Sequence, residues 1–69
     1  MKRKQFMQHL RRYGCFVKRE GARHTLIQNI NNGIGETVPR HIEIDNILVK
    51  KICKRLEIPA PFGKNRNFN

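Results

Sequence analysis

The chain has 69 residues, of which fifteen are Lys or Arg and five are Asp or Glu, for a formal net charge of +10. Its length sets one domain near the size at which a single core suffices, and excludes a second lobe or a deep substrate pocket. The charge points to a polyanionic partner, because Lys and Arg that neutralise phosphates release counterions and so supply affinity. Of the two common polyanions, a membrane fits less well. No apolar run approaches the ~20 residues of a transmembrane helix, and no signal-peptide pattern opens the chain. Nucleic acid is the expected partner.

From Lys2 to Tyr13 the apolar residues Phe6, Met7, Leu10 and Tyr13 fall at helical spacing, forming one inward stripe. Gly14 supplies the stop, since glycine readily takes the left-handed conformation after a helix end. Cys15 to Arg19 is β-prone, Gly21 marks a turn, and His24 to Asn29 reads as a second strand around Leu26 and Ile27. Asn31-Asn32-Gly33 is a loop signal. A third strand is expected over Thr37 to Ile42, where Pro39 argues for an edge or a strand end because it has no N–H for a ladder.

Asp45 reads as the N-cap of a second helix running to about Leu56. On a helical wheel Leu48, Val49, Ile52, Cys53 and Leu56 form one apolar face, and Lys50, Lys51, Lys54 and Arg55 the other. A purely solvated face would mix in glutamates for salt bridges; this one has none before Glu57. The expected fold is α+β in the order α-β-β-β-α, a three-stranded antiparallel sheet with both helices on one face, as in double-stranded-RNA-binding domains. Residues 1–58 make the domain, and the polar, proline-broken residues 59–69 a surface tail.

Cys15 and Cys53 are too few and too far apart for a disulfide framework or a zinc site, and His9, His24 and His41 show no ligand spacing with them. No metal or other cofactor is expected, and two cysteines among apolar neighbours fit a reducing, cytoplasmic setting. Of the histidines, His9 falls on the polar face of the first helix and is expected in solvent. His24 follows the Gly21 turn with nothing apolar before it, which leaves a catalytic acid or base, a nucleic-acid contact, or a solvated strand end.

The stretches "LRRYGCFVKREGARH", "VPRH" and "KKICKRLEIP" occur in that order, and across roughly residues 4 to 60 the chain resembles the HicA family of toxin ribonucleases. Gly21-Ala22-Arg23-His24 stands where that family carries a Gly-Ser-x-His turn with a catalytic histidine, and Val38-Pro39-Arg40-His41 matches a third-strand segment. Ala22 departs from the pattern by lacking the serine hydroxyl. The resemblance implies a toxin endoribonuclease that cleaves mRNA without a metal, with His24 as its catalytic residue and a HicB-type antitoxin, expected to be acidic, as its partner.

The chemistry suits the residue types. In metal-free RNA cleavage the adjacent 2′-hydroxyl is the nucleophile, so the protein need only move protons and stabilise charge. Imidazole suits proton transfer because its ordinary pKa of ~6.5 lies near working pH. Lys18, Arg23, Arg40, His41, Lys50, Lys51 and Lys54 are the expected RNA contacts, and His41 is also a second candidate acid or base beside its plainer reading as a hydrogen-bonded strand residue. Two readings compete with the nuclease. In a non-catalytic RNA-binding module His24 would only touch a phosphate or 2′-hydroxyl. A ribosome-associated or DNA-binding structural protein is explained by charge alone but leaves "GARH" and "VPRH" without a role.

Overall fold

The computed structural model describes residues 1–62 of the chain. Helix α1 (Arg3–Arg12) leads into strands β1 (Cys15–Glu20), β2 (His24–Asn29) and β3 (Gly35–Pro39), and helix α2 (Asn46–Leu56) follows. The strands form one antiparallel sheet in the order β1-β2-β3. This is the α-β-β-β-α order that the periodicity predicts. No helix among the described residues is long and apolar enough to cross a membrane.

The core explains why these segments pair. Phe6 and Leu10 of α1 and Val49, Ile52, Cys53 and Leu56 of α2 are buried together with Cys15, Ile27, Val38 and Ile44. Each large side chain fully buried contributes roughly 1.5–3 kcal/mol, which is most of what so small a domain has. Along β2 burial alternates, with Thr25, Ile27 and Asn29 buried and His24 exposed. The two buried polar residues are fully engaged. Thr25 Oγ1 accepts from Arg3 Nη2 at 2.7 Å and donates to Glu20 Oε1 at 2.7 Å. Asn29 Nδ2 donates at 2.8 Å to the Leu56 carbonyl, one of the carbonyls that a helix end leaves without a partner.

The helix ends follow their local chemistry. Gly14, at φ 84°, ends α1 in the left-handed region, and a Cβ there would meet the Asn31 side-chain nitrogen at 2.9 Å. Asp45 caps α2, its carboxylate accepting from Ile47 N at 2.9 Å. At the far end Glu57 sits at φ 62°, a left-handed conformation unusual for a residue with a side chain.

The third strand departs from its expected range of Thr37 to Ile42. It starts earlier because the β2–β3 hairpin closes tightly, with Asn29 N donating to the Ile34 carbonyl at 2.9 Å and Gly33 N to the Asn29 carbonyl at 2.8 Å. It ends at Pro39 because the next residues pair elsewhere. Arg3 N donates to the Ile42 carbonyl and Ile44 N to the Met1 carbonyl, both at 2.8 Å, with a bridge between Lys2 and Glu43. Arg40 and His41 therefore lie in a connecting segment rather than in a strand.

The tail expected at the surface begins with Pro59 and Ala60 exposed. It also touches the helices: the Pro59 carbonyl lies 2.6 Å from His9 Nε2, and the Phe62 ring packs on the core with Lys50 Nζ 5.8 Å from its centroid. His9, expected in solvent, is half-buried against Tyr13 as well, with ring centroids 4.8 Å apart. Residues 63–69 of that tail lie outside the described residues.

Candidate active site around His24

His24 is the first residue of β2 and is exposed. Two backbone features hold it. Gly21 N donates to the His24 carbonyl at 2.8 Å, closing the turn, and His24 pairs with Pro39 of β3. Gly21 is required by space: a Cβ there would sit 2.8 Å from the His24 carbonyl oxygen, a backbone atom with little freedom to retreat. Gly21 thus positions the histidine by permitting a close backbone approach.

Two shallow grooves meet at His24. The smaller, about 270 Å³, is walled by Arg19, Arg23 and the turn residues Gly21 and Ala22. The larger, about 370 Å³, brings in His41, Thr37, Glu36 and Arg55. Arg55 Nη1 lies 3.5 Å from Glu36 Oε1, so that cation is partly engaged. Arg19 and Arg23 form no ion pair among the described residues.

The expected contacts are distributed unevenly around this centre. Arg23 lies in the bend before β2, where strand alternation does not apply, and shares the smaller groove with His24. Lys18 does not reach either groove. A β-bulge between Val17 and Arg19 absorbs it, and Arg19 becomes the residue opposite Leu26. Arg19 is the cation that the sequence reading missed, because the bulge shifts the face of every later residue in β1.

Arg40 is tied to the other side of the sheet end. Its Nη1 donates to Glu20 Oε1 at 2.9 Å and to the Gly21 carbonyl at 3.2 Å. With Arg3, Thr25 and Glu20 it makes a continuous polar chain behind the turn. Lys50, Lys51 and Lys54 are exposed on α2 but line neither groove of His24. From α2, Leu48, Ile52 and Arg55 face the larger groove instead.

A third groove, of about 560 Å³, runs beside α1. Lys2, Arg3, Lys4, Arg11, Arg40 and His41 are among the residues that line it. His41 thus borders both this groove and the larger groove of His24.

Cys15 and Cys53 are buried thiols. Burial raises Cys15, and burial with the neighbouring Cys15 charge pushes Cys53 up to about 12. Both remain protonated and act as small core residues. Among the described residues, no three His, Cys, Asp or Glu side chains gather in a way that could hold a metal ion.

No family model, no curated protein and no solved structure matches this chain.

Proposed function

We propose that this protein is a toxin endoribonuclease of the HicA kind, cleaving mRNA by histidine-assisted chemistry. The observation that carries the reading is an exposed histidine fixed by backbone on both sides, with Arg19 and Arg23 in one adjoining groove and His41 in the other. The smaller groove, shallow and lined by Arg19 and Arg23 with no carboxylate, suits a polyanion lying across the surface, whereas Glu36, Glu43 and Asp45 line the larger one.

In the proposed reaction His24 takes the proton of a 2′-hydroxyl, and the resulting oxygen attacks the adjacent phosphorus. The bond from phosphorus to the 5′-oxygen breaks, and His41 returns a proton to that oxygen. The products are a 2′,3′-cyclic phosphate and a 5′-hydroxyl. Arg19 and Arg23 stabilise the charge that develops on the phosphoryl oxygens, where preorganised donors have their largest effect. Proton transfer by a positioned side chain contributes on the order of a hundred- to ten-thousand-fold, which suffices when damage to mRNA accumulates.

An exposed nuclease site requires control in the cell. An acidic HicB-type antitoxin that covers His24 and places carboxylates on Arg19 and Arg23 would supply it, with electrostatic steering making association fast and salt-dependent. The test is incubation of RNA with purified protein in EDTA beside a His24→Ala variant. Loss of cleavage of at least a hundredfold with the fold retained is expected. Equal cleavage by the folded variant refutes the assignment of His24, and no cleavage by the wild type refutes the nuclease.

A further inference from the structure

We infer that the groove beside α1, and not the lysine stripe of α2, is the track that holds the phosphodiester backbone of the RNA leading to His24. The inference rests on the ribonuclease reading and names where its substrate lies.

Three features of the groove support it. The first is unneutralised charge. Of its lining cations, Lys2 is held by Glu43 at 3.0 Å and Arg40 by Glu20 at 2.9 Å, while Lys4 and Arg11 form no ion pair among the described residues. Arg3 donates only to neutral acceptors, the Pro39 carbonyl at 3.0 Å and Thr25 Oγ1, so its position is fixed and its charge remains available. Glu20, the groove's carboxylate, is already used by Thr25 and Arg40.

The second feature is spacing. Lys4, Gln8 and Arg11 recur at i, i+4 and i+7 and so share one face of α1. At 1.5 Å per residue Lys4 and Arg11 stand roughly 10 Å apart along the axis, a separation that reaches different phosphates of one strand. Between them the wall is polar or apolar with no carboxylate, since α1 contains no acidic residue.

The third is continuity. Arg40 and His41 line this groove, and His41 also borders the groove of His24. A strand lying along α1 therefore arrives at the catalytic histidine without crossing the core. Lys50, Lys51 and Lys54 offer no such path, because they line none of these grooves and Lys50 sits over the Phe62 ring.

The experiment measures binding by fluorescence anisotropy in a His24→Ala background, which prevents cleavage. The probes are a labelled 20-nucleotide single-stranded RNA and the duplex of the same sequence, each titrated over a range of salt. Two charge reversals on exposed positions are compared, Lys4→Glu with Arg11→Glu and Lys50→Glu with Lys54→Glu, each checked for its fold by circular dichroism. The α1 pair should raise Kd at least tenfold and make the salt slope shallower by about 1.4 for the single strand, at ~0.7 per phosphate contact. The α2 pair should change Kd by less than about threefold. Which probe responds tells whether the groove holds a single strand or a duplex backbone. Loss confined to the α2 pair, or equal loss in both pairs, overturns the groove and leaves the ribonuclease reading standing. Failure of the parent to bind either RNA overturns both.

Discussion

At the scale of single residues, the arrangement around His24 depends on Gly21 more than on any side-chain contact. A methyl group at this position would press on the His24 carbonyl oxygen, and the turn must shift to accommodate it. Gly21→Ala should cost of the order of 1–3 kcal/mol in urea denaturation, and it should reduce cleavage further than the stability loss explains, because it displaces the histidine. Unchanged cleavage would mean that the turn does not set the position of His24. His24 itself was legible in the sequence through its place after "GAR". The cations beside it were not. Arg19 replaced Lys18 because of a bulge, and Arg23 came round to His24 because it sits in a bend. Both are consequences of hydrogen-bond register, which the order of residue types does not encode.

At the scale of elements, the hydrophobic periods of α1 and α2 and the glycine and asparagine signals between strands located every element in order. Asp45 as the cap of α2 was equally plain, since its carboxylate takes the role that its residue type favours. The end of β3 was hidden, because it depends on the pairing of residues 42–44 with the segment before α1, more than thirty-five residues away in sequence. The basic face of α1 was legible in principle, since Lys4 and Arg11, seven residues apart, fall on one face of a helix. The C-terminal end of α2 makes a prediction of its own. Glu57 occupies the left-handed region at a cost of roughly 1–2 kcal/mol, relieved by glycine but partly offset by glycine's greater unfolded-state entropy. Glu57→Gly should therefore raise stability by about 0.5–1 kcal/mol. A fall in the urea midpoint would show that the 3.3 Å contact from Asn32 to Glu57 contributes more than an exposed hydrogen bond should.

At the scale of the whole molecule, a small core sets the stability of a strongly cationic domain. The core includes two thiols, and their titration predicts a pH dependence. Cys53 is pushed up to about 12 by burial and by Cys15, from an ordinary value of 9.0. Above the ordinary value the unfolded chain releases this proton while the folded protein keeps it, so the unfolded state binds fewer protons and stability falls as pH rises. The decline should begin near pH 9 and continue toward 12, amounting to about 2 kcal/mol by pH ~10.5. Cys53→Ala should flatten that part of the profile relative to the wild type. Identical slopes for the two proteins would show that the Cys53 thiol is not responsible. Neither thiol enters the proposed chemistry, which is assigned entirely to the exposed histidines and arginines.

The central claim is that His24 drives attack by the substrate's own 2′-hydroxyl, and the end groups of the cleaved RNA test it most directly. A short RNA is digested in EDTA, and its fragments are identified by mass spectrometry, with a second substrate carrying a 2′-deoxy sugar at the cleaved position. The account predicts 2′,3′-cyclic phosphate and 5′-hydroxyl ends from the wild type, no cleavage of the deoxy substrate, and no products from His24→Ala. Fragments bearing 5′-phosphates, or cleavage at the deoxy position, would contradict it.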